Sequence, residues 1–410
     1  MSAGVVGLEV RAVTGGFEVS AQWLIVTGPL QARVLAALDW GDGTSAIVTA
    51  PQPGFAFVQE HTYTLTDGPI AGLASFAALL TDPPGGTVTN EARIYLDPGA
   101  SAGVARTGWA GQDLMLGGVG ADSLDGSGSG DTLYGGAGDD VLTGGAGRDG
   151  LYGGDGADDL LGGAGVDFLS GGNGNDTIRG GADGDQMDGG AGNDLLAGGS
   201  GDDNVFGDVG DDRLSGGDGK DTLVGGTGAD TLGGGDGQDL LVGNAGADRL
   251  DGGAGDDILV GGAAGPDAPD GADILTGGDG NDLLIGNEGD DRLFGGTGAD
   301  ILYGGTGADR IVLEADGAMD VVQFVTLSEA GDRITGFTPG EDRIQLFFLG
   351  LTAVIPNADP LPNAPTGTLL FDTDTGRLSY DADGYAAGDA VLIATLVGVT
   401  SLSSADFFFG

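Results

Sequence analysis

The sequence predicts an all-β protein: a parallel solenoid of short stacked coils over residues 108–312, a small β-sandwich before it and a β-rich cap after it. Three observations predict this. A nine-residue period runs from Gly108 to Val312. An aspartate and a large aliphatic residue sit two places apart in every unit. Short strand-like runs, separated by turn residues, fill both flanks.

From Gly135 the period reads GGAGDDVLT, GGAGRDGLY, GGDGADDLL, GGAGVDFLS, GGNGNDTIR. Its form is G-G-x-G-x-D-x-U-x, where U is aliphatic, and a period of this kind marks a solenoid. The sixth position holds Asp113, Asp122, Asp131, Asp140, Asp149, Asp158, Asp167, Asp176, Asp185, Asp194, Asp203, Asp212, Asp221, Asp230, Asp239, Asp248 and Asp257. The register slips once, across AAGPDAPDGAD, and resumes at Asp273, Asp282, Asp291, Asp300 and Asp309. The eighth position is always Leu, Ile, Val or Met. A flexible Gly-rich linker has no reason to keep such a phase. A repeated turn and strand does.

GGxGxD suits a turn, because glycine reaches positive φ and brings backbone close to a ligand. The x-U-x triplet suits a very short strand whose central side chain points one way and its neighbours the other. Two units make one coil, so unit i stacks on unit i+2. Asp113, Asp131, Asp149 and Asp167 then share one column, and Asp122, Asp140, Asp158 and Asp176 share the other. Carboxylates at about 4.8 Å intervals repel one another. Ordering nine residues, many of them glycine, costs more than burying one Leu returns. A hard divalent cation between stacked turns reverses the balance. Ca²⁺ accepts carboxylate and carbonyl oxygens in a tolerant geometry, whereas Mg²⁺ demands a tight octahedron and keeps its waters. Zinc and copper are disfavoured, since the chain has one His and no Cys.

These units resemble the calcium-binding nonapeptide repeats of the RTX (repeats-in-toxin) family. The resemblance implies a parallel β-roll with a calcium ion in each pair of stacked turns. It also implies a chain unfolded in calcium-poor cytosol that folds after export by type I secretion. Several units depart from the pattern. Trp109, Ser127, Asp208, Asn244 and Asn287 stand at second positions, and Asp183 stands at a fourth; these departures are expected to weaken their sites. The insert around Pro266 and Pro269 is expected to bulge from one edge and to break or distort the sites beside Asp248 and Asp257. The extra acids Asp139, Asp202, Asp211, Asp256 and Asp290 read as turn residues with solvated side chains.

The chain has 410 residues, with Lys+Arg 14 against Asp+Glu 63 and a formal net charge of −49. That balance disfavours nucleic acid and anionic membranes as partners. The absence of Cys excludes disulfides and thiol chemistry. The N-terminus shows no basic region followed by an apolar core, so no Sec signal is expected. No apolar run reaches the length of a membrane span.

Residues 1–98 carry strand-like runs at Gly7–Val13, Phe17–Val26, Ala32–Asp39, Phe55–Leu65, Ala71–Leu80 and Thr87–Leu96, with turn residues between them. Such spacing argues a β-sandwich. The run Asp39-Trp40-Gly41-Asp42-Gly43-Thr44, followed by His61-Thr62-Tyr63, resembles the polycystic-kidney-disease-type (PKD) Ig-like domain. In that domain the residue matching His61 is structural. Trp40 reads as core, and Asp42 as the cap of its own turn. Residues 99–107 read as a linker.

Residues 313–410 read as the cap that keeps the last coil from exposing core and strand edges. The run from Asp332 to Ile344, the run from Thr375 to Gly384 and the ending D-F-F-F resemble the C-terminal module of secreted RTX proteins. That implies an uncleaved type I secretion signal near the end of the chain. A simpler reading makes Phe407–Phe409 the last strand of the cap.

No H-E-x-x-H zinc site and no G-x-S-x-G elbow is present. No catalytic or cofactor-binding residue is assigned, and the metal residues are the aspartates named above. The chain therefore reads as a secreted, non-enzymatic calcium-binding protein with an extracellular surface, matrix or adhesive role. Its expected partners are calcium ions, the type I secretion machinery and a cell-surface or matrix target. Two alternatives stay open: a self-assembling surface-layer protein, and a secreted hydrolase with an unrecognised N-terminal active site.

Overall fold

The computed structural model describes eight strands between Val5 and Leu96 as backbone. It then describes residues 103, 105–108, 110–262, 270–329, 331–347, 353–356, 368–381 and 390–409. The protein is all-β, with a parallel β-solenoid of about 13 turns and almost no helix. The chain divides into two compact units, Met1–Asp155 and Gly156–Gly410.

In the first unit, Val5–Val13, Gly16–Trp23 and Val58–Thr62 form one antiparallel sheet. Ser45–Thr49, Val34–Asp39, Ser75–Asp82 and Gly86–Val88 form another. His61 lies in the strand Val58–Thr62; Trp40 and Asp42 lie outside the described residues. Two further strands belong with the coils. Arg93–Leu96 pairs in parallel with Asp113–Val119, and Ala105–Thr107 pairs in parallel with Ser123–Asp125. Parallel stacking thus starts before Gly108: Ala105–Thr107 lies inside the stretch read as a linker, and Arg93–Leu96 lies inside the run Thr87–Leu96 read as a strand of the sandwich. The repeat pattern could not reveal this, because Arg106 is opposite Leu124, where an aliphatic residue is expected.

Within each unit, strands two repeats apart pair in parallel and in register. Met115 is opposite Leu133, and Leu133 opposite Leu151. In the second unit Leu160 is opposite Ile178, and Leu214 opposite Leu232. These eighth-position side chains are 0–3% exposed and form the core. Burial alternates along most of the repeat strands, as a two-residue period requires. In Thr231–Asp236, Leu232 and Gly234 are buried while Thr231 and Asp236 are exposed.

Most repeat strands are longer than the triplet x-U-x, which stands alone only at Ser123–Asp125 and Arg310–Val312. Thr231–Asp236 also takes in the following Gly234-Gly235-Asp236, so the turn shrinks to G-x-D. Gly235 makes this extension feasible. It sits at φ +118 and stays in register with Gly217 and Gly253. A Cβ there would collide with the Gly217 carbonyl oxygen of the preceding coil. Asp183, Asp208, Asn244 and Asn287 keep the left-handed backbone at φ 70 to 76. Asp and Asn tolerate that region better than most residues. The irregular units therefore preserve the coil path.

The insert also preserves it. Leu250 is opposite Leu275 and Leu259 opposite Leu284 across the slip in period. Residues 263–269 lie outside the described residues, and Gly271-Ala272-Asp273 re-forms the turn.

The coil continues past Val312. Val321–Phe324 and Asp332–Thr335 pair in parallel with Ile301–Thr306 and Arg310–Val312. Arg343–Leu346 adds to Val321–Phe324. Thr368–Asp372, Arg377–Asp381 and Val391–Val397 then run antiparallel to one another, and Val391–Val397 lies parallel to Asp332–Thr335. Phe407–Phe409 pairs in parallel with Arg343–Leu346, placing Phe407 opposite Ile344 in the aliphatic row. Asp406 pins this strand: its Oδ1 accepts from Gly340 N at 2.7 Å and its Oδ2 from Ser403 N at 2.6 Å. Among the described residues no helix is long and apolar enough to cross a membrane.

Two glycines of one strand should respond in opposite ways. Gly235→Ala adds a Cβ against backbone at positive φ and should cost at least about 2 kcal/mol. A Cβ at Gly233 would meet no atom within 4 Å, and its φ is not positive, so Gly233→Ala should be neutral or stabilising by up to about 1 kcal/mol. Thermal unfolding of both variants in calcium measures the difference; equal losses would refute the backbone-crowding argument.

Candidate metal sites along the solenoid

The turn G-x-D directs each sixth-position aspartate inward, on the same side as the aliphatic residue two places later. All the repeat aspartates are buried, at 0–4% exposure. Burying carboxylates on this scale demands partners. Half of the demand is met by the backbone of the neighbouring coil.

In the first unit, Asp113 N donates to Asp131 Oδ1 and Asp122 N to Asp140 Oδ1, each at 2.7 Å. In the second unit, one column runs from Asp158 through Asp176, Asp194, Asp212, Asp230 and Asp248 to Asp273, Asp291 and Asp309. The other runs from Asp167 through Asp185, Asp203, Asp221, Asp239 and Asp257 to Asp282 and Asp300. In every step the amide of one aspartate donates to the Oδ1 of the next in its column. The predicted break at the insert does not occur. Asp248 N reaches Asp273 Oδ1 at 2.8 Å and Asp257 N reaches Asp282 Oδ1 at 2.9 Å, each over 25 residues instead of 18. The column is therefore continuous on both sides of residues 263–269, which lie outside the described residues.

The second carboxylate oxygen is different. The Oδ2 of each repeat aspartate from Asp176 to Asp309, and of Asp320, is buried and accepts no hydrogen bond. Its surroundings are specific. A side chain at Gly171 would strike both Asp176 Oδ2 and the Gly189 carbonyl oxygen, and one at Gly243 would strike Asp248 Oδ2 and the Gly261 carbonyl oxygen. The first glycine of the repeat thus leaves room for a carboxylate oxygen and a carbonyl oxygen of the coil two units on. Both are acceptors, so neither satisfies the other. An oxygen-ligated cation satisfies both. Among the described residues no three His, Cys, Asp or Glu side chains converge on one point. Backbone carbonyls must therefore complete any ligand set.

The electrostatics match the geometry. Burial raises the carboxyls of Asp176, Asp194, Asp230 and Asp248 to about 6, Asp185 and Asp282 to about 7, and Asp273 to about 8. The amide hydrogen bond from the neighbouring coil opposes each rise, and carboxylates in the same or adjoining turns add to it.

The columns extend beyond the aspartates of the repeat. Asp309 N donates to Asp332 Oδ1, Asp300 N to Asp320 Oδ1 and Asp320 N to Asp342 Oδ1. D-x-U survives at Asp320-Val321-Val322, Asp332-Arg333-Ile334 and Asp342-Arg343-Ile344, and was the available signal once the glycines and the spacing had gone. Asp342 ends its column: its amide donates to the Thr338 carbonyl oxygen at 3.0 Å, and its Oδ2 accepts from Thr338 N at 2.6 Å.

Some fifth-position acids depart from expectation. Asp202, Asp211, Asp256 and Asp290 do not simply solvate their side chains. Each accepts, through Oδ1, the amide of the fifth-position residue in the next coil: Lys220, Ala229, Asn281 and Ala308 respectively. They make an exposed outer ladder that runs opposite in sense to the buried one.

A parallel roll whose turns stack buried carboxylates beside glycine carbonyls has the architecture of a calcium-binding β-roll. The family model of the RTX calcium-binding nonapeptide repeat (4 copies) matches residues 107–124, 125–160, 161–196, 197–232, 233–264, 270–302 and 285–316, half of the chain. The chain belongs to the RTX calcium-binding nonapeptide repeat family. No curated protein matches it. Among solved structures, the AlgE6R3 subunit of the Azotobacter vinelandii mannuronan C5-epimerase is similar at 29% identity, over 38% of this chain and 80% of that one, with a TM-score of 0.14.

The raised carboxyls predict a pH dependence for the metal-free roll. Their folded values lie above the ordinary aspartate value of 3.8. Their stabilising effect on the folded state is therefore full below about 4 and is lost as pH rises through about 6 to 8. In chelator, β circular dichroism should be stronger at pH 5 than at pH 8. The opposite order would show that these carboxylates are not buried in the metal-free state.

Proposed function

We propose that this protein is a secreted, non-enzymatic calcium-binding protein whose roll folds around many Ca²⁺ ions after export. The ligands are the inward carboxylates of the repeat aspartates from Asp113 to Asp309, together with first-position glycine carbonyls. Asp320 joins them. One observation carries the reading: column after column of buried Oδ2 atoms without hydrogen-bond donors, each beside a backbone carbonyl oxygen.

Calcium suits this set better than its competitors do. The donors are oxygens only, and the tolerant coordination of Ca²⁺ accommodates backbone carbonyls. Binding is coupled to folding, because the site exists only when two coils are stacked. Calcium-poor cytosol then keeps the chain extended for type I secretion, and external calcium folds it. Neutralised columns would leave an extracellular protein with a surface, matrix or adhesive role. The sandwich at 1–98 and the C-terminal segment at 313–410 flank it, the latter carrying the export signal.

In excess chelator at pH 8 the chain should lack most β circular dichroism from residues 108–312, and millimolar calcium should restore it. Asp176→Ala and Asp320→Ala should each remove about one or two bound ions in calorimetric titration and lower the unfolding temperature in calcium. Asp342→Ala should leave the stoichiometry unchanged, since its Oδ2 already has a donor. Equal β content with and without calcium at pH 8 would end the proposal.

A further inference from the structure

Residues immediately after the column aspartates face outward, and they differ between the two sheets of the second unit. On one sheet they include Leu240, Ile258, Leu283 and Ile301. On the other the row opens with Asp159, Thr177 and Leu195 and continues as Arg213, Thr231, Arg249, Ile274, Arg292, Arg310 and Arg333, each opposite the next across parallel strands. Five of the chain's 14 basic residues thus stand in one file on a protein of net charge −49. All five arginines are exposed. Among the described residues none forms an ion pair, although Arg179 on the same sheet pairs with Asp159 at 2.8 Å.

The repeat does not require this file. Thr231 and Ile274 occupy the same position without disturbing the register. Arginines are costly to line up unpaired, since like charges directly opposite destabilise a sheet. Arg292, Arg310 and Arg333 are on consecutive strands. With strands about 4.8 Å apart, the file is roughly 30 Å long.

We propose that this file binds a linear acidic glycan, one bearing carboxylate or sulfate groups along an extended chain. The guanidinium forks suit both anions. Thr231 in the file and Thr276 beside it offer hydroxyls to the sugars between charges. A nucleic acid fits less well. Single strands need successive aromatic platforms, and the adjoining outward row has only Phe294. A duplex carries a dense charge that the acidic remainder of this protein repels. The adjoining outward row carries one acid from Ser215 onward, Asp251 beside Arg249, and beside Arg292, Arg310 and Arg333 it holds only Phe294, Val312 and Thr335, so a glycan lying along that end of the file meets cations without acids in the neighbouring row. This site rests on the roll being folded in calcium, as proposed above.

The test uses the full-length protein in millimolar calcium, with a chondroitin sulfate oligosaccharide as probe and circular dichroism as the check on folding. Wild type should bind, and binding should weaken with salt. The triple variant Arg292→Gln, Arg310→Gln, Arg333→Gln should bind at least about 30-fold more weakly, with a salt slope lower by about 2 to 3. Its β signal and calcium stoichiometry should not change. Arg179→Gln should bind as wild type does. Undiminished binding by a folded triple variant overturns the site. So does a single-stranded DNA of matched charge, or an anionic phosphatidylserine vesicle, that binds as tightly as the glycan. No glycan binding with the β signal intact overturns the glycan site alone. Loss of the β signal in calcium overturns the calcium reading and the site with it.

Discussion

Each coil of the roll buries a carboxylate and gives it only half of what a carboxylate requires. One oxygen receives the amide of the neighbouring coil, and the other lies beside a carbonyl oxygen. Unpaired buried charge is among the largest penalties a fold can carry. The penalty recurs along both columns, and neighbouring carboxylates increase it. A divalent cation turns the same feature into the strongest attraction in the molecule. On the calcium reading proposed above, folding is conditional on the ion, because the aliphatic row offers only one buried aliphatic side chain per nine residues against a glycine-rich backbone that is costly to order. Weak core and excess charge are two halves of one device.

Glycine makes the device possible by geometry more than by flexibility. The first glycine of each unit is empty space for the carboxylate and carbonyl oxygens; at Gly171 any Cβ would displace both. The second takes a positive φ where coil backbones approach, as Gly235 does against Gly217. Asn244 and Asp208 can replace the second glycine because they reach the left-handed region, but no side chain can replace the first without evicting the carboxylate. The insert obeys the same logic. A solenoid coil contacts only its neighbours, so extra residues can leave at a turn. The columns at Asp273 and Asp282 continue as if nothing had been added.

The columns and the core were legible in the sequence because both are periodic. A fixed phase of Asp and Leu specifies which side chains face inward and which coils stack. The sequence was silent where pairing continued without the phase. Arg106 enters a parallel strand at a position where the repeat would place an aliphatic residue. Asp320, Asp332 and Asp342 extend the columns at irregular spacing, after the glycines have gone. Backbone pairing needs neither glycine nor aspartate, so a motif cannot mark its limits. Asp202 and Asp211 were legible as turn residues but not as a ladder, since their partners are backbone amides, which every residue has.

Inward positions are fixed by the aspartate ladder, the aliphatic row and the approach of the backbone. Outward positions are fixed by none of these. Phe206, Ser215 and Gly233 all occupy the ninth position of a unit without altering the path of the chain. Specific recognition must therefore be carried by residues that folding leaves free, and between Arg213 and Arg333 the second unit sorts most of them by sheet. Aliphatic side chains such as Ile258 and Leu283 line one outer face, and the arginines from Arg213 to Arg333 line the other. An unpaired cation beside the next one works against folding. Its placement in a file on so acidic a chain has no explanation inside the roll, which directs attention to a negatively charged chain outside it.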